Sequence, residues 1–168
     1  MAATIQIHEM SALAAGGDKT SGTVRFKDAD NATVDLNNPL VIPDAGSIYS
    51  YTKQVRAYME APPDTQIDNM RWYTDGGNGF GTGVTVQAKN VGVTYDANVK
   101  TEMAGGADLF GYTSAAPLDG DGTDVSPFTS ADDDGYIGDL IMMQMIVAST
   151  AAHGSLSAET LTLAWDEI

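Results

Sequence analysis

Residues 67–89 read IDNMRWYTDGGNGFGTGVTVQAK. A run rich in apolar and aromatic residues over 67–74 is followed by nine residues that include five glycines, and then by strict alternation of apolar and polar residues over 84–89. Alternation with a period of two is typical of a half-buried β-strand. Two strands joined by a glycine-rich connection are typical of a hairpin with a long loop. This stretch therefore predicts a hairpin within an all-β fold.

The same signals continue on both sides of this stretch. Alternating segments are found at 4–8, 22–27 and 158–165, and shorter extended pieces are expected at 33–36, 39–43 and 91–95. The apolar run Leu140–Val147 is interrupted only by Gln144. A short, continuous apolar run fits a strand that is buried on both faces.

Two segments are less regular. Residues 48–60 fit a helical face through Ile48, Tyr51 and Val55, but the tyrosines and β-branched residues there favour a strand. Residues 102–136 are rich in Gly, Ala, Ser, Asp and Pro, so one long irregular loop is expected. Eight to nine strands without a long helix predict one antiparallel β-sandwich over residues 1–168, jelly-roll or immunoglobulin-like, with an N-terminal arm over 1–20.

Composition narrows the classes of function. The 168 residues include no cysteine, which excludes disulfides, thiol nucleophiles and cysteine-held metals. The formal net charge is -15, and residues 101–168 hold 12 acidic residues and no Lys or Arg. A general nucleic-acid binder needs a basic face, so no specific nucleic-acid partner is expected. An anionic surface instead favours a cationic partner, a bound cation or a salty medium that screens repulsion, and the alternative is a solvated acidic face.

Targeting signals are not evident in the sequence. The first residues, MAATIQIHE, lack the basic region and apolar run of a signal peptide. The longest apolar run is far shorter than the ~20 residues that a membrane-spanning helix needs. We therefore expect no membrane association and a protein that is soluble where it is made.

An acidic loop is the candidate metal site. Residues 119–124 read DGDGTD, in which Asp119, Asp121 and Asp124 alternate around glycines as in half of a calcium-binding loop. An EF-hand needs a glutamate at position twelve, where this chain has Ser130, so that motif is excluded. Calcium is the one cofactor that this pattern suggests. The alternative is a polar surface loop of turn-forming residues.

Catalytic patterns are missing from the sequence. His8 and His153 are the only histidines, and no Gly-x-Ser-x-Gly motif accompanies them. The glycines at 79, 81 and 83 precede an expected strand, whereas a phosphate-binding loop precedes a helix. We therefore predict that the protein is not an enzyme.

Aromatic residues offer a different kind of function. Tyr49, Tyr51, Tyr58, Trp72, Tyr73 and Trp165 lie on expected strands and could line a sugar-binding face, although aromatics at such positions more often belong to a core. A calcium-dependent carbohydrate-binding module is therefore kept as an alternative from another class.

Several segments resemble small virion proteins of tailed bacteriophages. They are Asp18–Lys27 with Ala29–Asp35, Met70–Gly76 with Gly79–Val84, and Leu161–Ile168. The resemblance covers most of the chain. It implies a non-enzymatic β-sandwich located in the virion, which coats or cements a capsid or sits in a tail.

This resemblance also suggests partners and contact residues. We expect a capsid decoration protein that bridges copies of the major capsid protein or neighbouring virion proteins and forms a homo-oligomer; a tail-tube protein is the alternative. The N-terminal strand is expected to pair with a neighbour's sheet edge, and the 102–136 loop to offer apolar anchors. The candidate contact residues are Thr4, Ile5, Ile7, Leu109, Phe110 and Phe128.

Overall fold

A computed structural model describes residues 2–10, 17–121, 128–129 and 135–168. These residues form ten strands, three of them only two residues long, and one short 3-10 turn at Leu109–Gly111. The strands are β1 Thr4–Met10, β2 Ser47–Tyr49, β3 Lys53–Ala61, β4 Gln66–Tyr73, β5 Val84–Asn90, β6 Ala107–Asp108, β7 Leu118–Asp119, β8 Phe128–Thr129, β9 Tyr136–Ala148 and β10 Thr162–Glu167. All pairings between them are antiparallel. The predicted all-β sandwich is confirmed.

The strands divide into two sheets. In the first sheet the order is β1-β3-β9-β5-β6, and β2 also pairs with β9. In the second sheet the order is β10-β4-β7, and β8 also pairs with β4. β9 is the centre of the first sheet because it pairs with β2, β3 and β5 along its length. Its apolar side chains are buried on both faces, as the run Leu140–Val147 predicts.

The core joins the two sheets. Trp72 of β4 is 1% exposed and belongs to the same cluster of buried side chains as Val84, Val86, Met143 and Met145 of the first sheet. A smaller cluster brings Ile5 and Met59 of the first sheet together with Ile67 and Met70 of β4. The two sheets are thus held together mainly by burial of apolar surface.

The predicted hairpin over 67–89 is wrong. β4 pairs with β10 in the second sheet, whereas β5 pairs with β9 in the first. The glycine-rich residues 75–83 therefore cross from one sheet to the other. The connection between β4 and β5, residues 74–83, has ten residues and is too long to impose hairpin register, so the partner of each strand is set by its long-range packing.

Other local expectations have mixed outcomes. Residues 48–60 contain strands β2 and β3 and no helix, which confirms the strand interpretation. The alternating segment 22–27 and the pieces at 33–36, 39–43 and 91–95 are not strands. The described part of 102–136 contains β6, the 3-10 turn, β7 and β8, so it is a long excursion built from short pieces.

Part of the expected N-terminal arm is a strand. Residues 4–10 form a strand paired with β3, so this part of the expected N-terminal arm is part of the sheet. Residues 11–16 lie outside the described residues. Over the described ranges, no helix has the length and apolar character required to cross a membrane.

Gly83 occupies a position that no other residue fits. Its φ is 79°, and a Cβ there would approach the backbone nitrogen of Ala151 to 2.5 Å. Gly81 has a similar φ of 85°, but a Cβ there would meet nothing within 4 Å. The two glycines differ mainly in this backbone contact.

We expect Gly83→Ala to lower the free energy of unfolding by roughly 3 kcal/mol or more, because strain in φ and overlap with backbone atoms add together. Gly81→Ala should lower it by about 1 kcal/mol, from strain in φ alone. Urea denaturation of both variants measures the difference, and equal losses would contradict the close backbone contact at Gly83.

Candidate interaction surface

The outer edge of β1 is already covered by the protein's own chain. The Lys19 backbone nitrogen donates to the carbonyl of Ile7 at 2.6 Å, and the Ile7 nitrogen donates to Thr20 Oγ1 at 2.9 Å. The Glu9 nitrogen donates to the Gly17 carbonyl at 3.4 Å. Three backbone groups of residues 7–9 thus already have partners within the chain, whereas the expected pairing of residues 4–6 with a neighbour's sheet edge stays a prediction.

Three of the predicted contact residues are buried in the core. Ile5 is buried in the smaller core cluster, and Leu109 and Phe110 are buried in the larger one, so these three cannot serve as surface anchors. Thr4 is exposed, and Ile7 is half-buried against the core. Phe128 belongs to β8, and its side chain lies outside the described part of the chain.

The acidic loop is organised by its own hydrogen bonds. Asp119 Oδ1 accepts from the Asp121 nitrogen at 2.9 Å, and Asp121 Oδ1 accepts from the Met70 nitrogen at 2.9 Å. Burial raises the pKa of Asp121, as do the charges of Asp119 and Asp68. Asp124 lies outside the described residues, and within those residues no group of three or more metal-ligating side chains is found.

A cluster of rings spans three strands on the outward face of the first sheet. His8 of β1 stacks on Tyr58 of β3 with ring centroids 4.5 Å apart, and both contact the edge of Tyr136 of β9. His8 Nδ1 lies 3.2 Å from the Tyr136 hydroxyl oxygen. Burial lowers the pKa of His8, and the nearby Asp18 charge opposes this shift. Trp72, in contrast, is buried, so it is not part of any sugar-binding face.

Residues 28–38 form an irregular loop that three lysines hold in place; we name it the lysine-pinned loop. The Asp28 nitrogen donates to the Asn38 carbonyl at 2.8 Å and closes the base of the loop. Three successive carbonyls then accept from lysine ammonium groups. Lys53 donates to Asn31 at 2.5 Å, Lys19 to Ala32 at 3.3 Å and Lys27 to Thr33 at 2.7 Å.

A buried ion pair supports this arrangement. Lys53 also contacts Glu9 at 3.0 Å, and both side chains are 1% exposed. Lys19 lies 3.6 Å from the second carboxylate oxygen of Glu9. The lysine contacts therefore fix the backbone of residues 31–33, because hydrogen bonds from charged donors are stronger than neutral ones.

This loop presents apolar side chains to solvent. Val34 is 51% exposed and Leu36 is 78% exposed, and Val41, just beyond the loop, is 71% exposed. The neighbouring segment that contains Val99 is attached to the loop by a hydrogen bond from Asn98 to Asp30 at 2.7 Å. Burial of these side chains against a partner would cost little conformational entropy where the segment is preorganised.

Most basic side chains form ion pairs or hydrogen bonds within the chain. Seven of the eight donate to acidic side chains or to backbone carbonyls: Lys19, Lys27, Lys53, Arg56, Arg71, Lys89 and Lys100. Many acidic residues, among them Asp44, Asp64 and Asp108, are exposed. The surface is therefore strongly anionic, as the net charge predicts.

The lysine-pinned loop could not be found from the sequence pattern. Alternation over 22–27 assigns Lys27 to a solvent-facing side of a strand, but Lys27 is 1% exposed and donates into the loop. The Asx-type turns of the loop were the available signal, since Asn31 and Asp35 each accept from a backbone nitrogen two residues later.

No known protein family, no curated protein and no solved structure matches this chain.

Proposed function

We propose that this protein is a non-enzymatic structural component of a virion and that it decorates a capsid by binding across neighbouring capsid subunits. The proposal rests on the lysine-pinned loop, which is fastened at Asn31 and Thr33 and leaves Val34 and Leu36 exposed. A rigid loop loses little conformational freedom on binding, so the apolar area that it buries contributes more fully to affinity.

The charge of the chain specifies the kind of partner. A protein with a net charge of -15, in which seven of the eight basic side chains are engaged internally, repels other acidic surfaces and is attracted to a basic one. The partner surface on the capsid is therefore basic around an apolar centre. Binding only to the assembled lattice would stabilise the shell through mass action.

Co-sedimentation with empty, expanded shells of the virus that encodes the protein tests this proposal. We expect saturable, stoichiometric binding that weakens as salt screens the charges. Leu36→Ser should weaken binding by roughly tenfold or more, because burial of one leucine contributes about 1.5–3 kcal/mol.

Leu156→Ser is the matched control, since Leu156 is also exposed but lies in the connection between β9 and β10. It should bind shells as the unaltered protein does. Absence of shell binding, with rings or tubes formed by the protein alone, would replace the capsid role with the tail-tube alternative. Equal losses of shell binding in Leu36→Ser and Leu156→Ser would show that the loop does not contact the capsid.

A further inference from the structure

An open pocket lies beside the start of β10. Its volume is about 350 Å³, and its walls come from the end of β4, from the turn near residue 113 and from the chain that leads into β10. Small-molecule sites begin at roughly 300 Å³. The pocket is separate from the lysine-pinned loop, and none of its residues belongs to that loop or to the ring cluster.

The lining of the pocket is polar. Ser114, Thr160 and Tyr73 offer hydroxyl groups, which both donate and accept hydrogen bonds, and Asp75 and Glu159 offer carboxylates, which only accept. Apart from Asp75, which accepts from the Gly77 nitrogen at 2.8 Å, these side chains make no hydrogen bond to another residue within the described ranges. The pocket thus holds several polar groups that are free to bind a ligand.

The absence of a side chain at Gly79 leaves room for the Glu159 carboxylate. The Glu159 carboxylate lies directly against the α-carbon of Gly79, and a Cβ at residue 79 would overlap Oε1. The glycine-rich connection between the sheets therefore allows this carboxylate to sit over the pocket wall. Alanine at position 79 would displace the carboxylate without altering the charge of the site.

We propose that this pocket binds a neutral saccharide. Each saccharide hydroxyl donates and accepts, so it can use the carboxylates and the hydroxyl groups together. The half-buried Tyr73 ring adds an apolar surface for the C–H face of a sugar ring. Two carboxylates repel an anionic ligand, and the polar lining disfavours an apolar one. This site is independent of capsid binding.

Saturation-transfer difference NMR on the full chain, with glucose, galactose, mannose and N-acetylglucosamine at millimolar concentration, tests this proposal. We expect at least one of these sugars to bind. Glu159→Gln should weaken that sugar roughly tenfold through loss of a charged acceptor, and Gly79→Ala should weaken it by displacing the same group.

Asp44→Asn is the control, because Asp44 is an exposed carboxylate in the turn before β2. It should leave sugar binding unchanged, and thermal unfolding should confirm that each variant is folded. The proposal is overturned if none of the four sugars binds, or if binding is the same in Glu159→Gln. Binding of methylguanidinium alone, lost in Glu159→Gln, would also overturn it and make the pocket a cation site.

Discussion

Replacing Lys53 with methionine is expected to lower the free energy of unfolding by about 3–5 kcal/mol, because it leaves a buried carboxylate without its main partner. Lys53 and Glu9 are in contact at 3.0 Å and both are almost fully buried. The substitution also removes the donor to the Asn31 carbonyl, so one of the three ties to the lysine-pinned loop is lost. Lys19, at 3.6 Å from Glu9, offsets only part of the charge.

Lys100→Met is the matched control for this substitution. Lys100 pairs with Asp28, but both side chains are more than two-fifths exposed, and an exposed pair contributes about 0–1 kcal/mol. The double variant with Glu9→Met should cost less than Lys53→Met alone, because no buried charge then remains. Urea denaturation of the three variants provides the comparison. If Lys53→Met lowers the free energy of unfolding no more than Lys100→Met does, burial does not strengthen the pair of Lys53 with Glu9.

Gln144→Leu is expected to lower the free energy of unfolding by about 3 kcal/mol, because each buried polar group left without a partner costs about 1–3 kcal/mol. Gln144 is fully buried at the centre of β9. Its Oε1 accepts from the Met103 nitrogen at 2.8 Å, and its Nε2 donates to the carbonyls of Ser50 and Thr101 at 2.9 and 2.8 Å. One side chain therefore connects the first sheet to residues 101–103.

Amide hydrogen exchange distinguishes this loss from a general loosening of the core. Faster exchange should be largest at Met103, since its nitrogen loses its acceptor. Met145→Leu, a swap of similar volume on the same strand, should cost less than about 1.5 kcal/mol and leave Met103 protected. Exchange at Met103 that is unchanged in Gln144→Leu would contradict the proposed connection.

Patterns of side-chain burial along one strand could be predicted from the sequence. The run Leu140–Val147 specifies the central strand because both faces of a central strand are buried. Gln144 interrupts that run. Its buried amide is satisfied by the carbonyls of Ser50 and Thr101, which are distant in sequence, so no local pattern reveals its role. The pattern of buried and exposed positions can be found within one segment, whereas the hydrogen-bond partner of a side chain can lie anywhere in the sequence.

Pairing between strands could not be predicted in the same way. The alternation at 22–27 is as regular as that at 84–89, but only the second segment has a neighbouring strand to pair with. Leu109 and Phe110 lie in a segment rich in small and polar residues, yet they complete the core between the sheets. The candidate site was missed for a related reason, since buried lysines contradict the usual exposure of this residue type.

The central position of β9 has a consequence for how the chain folds as it is synthesised. β2, β3 and β5 do not pair with one another and require β9 as their common partner. They leave the ribosome well before residues 136–148 exist, so their apolar faces stay uncovered during that interval. Contacts between such distant residues form slowly, and uncovered strands favour aggregation. Residues 1–100 hold 11 acidic and 8 basic residues, a net charge of only -3, so charge repulsion protects these early strands little, and most of the repulsion between copies arrives with the acidic residues 101–168.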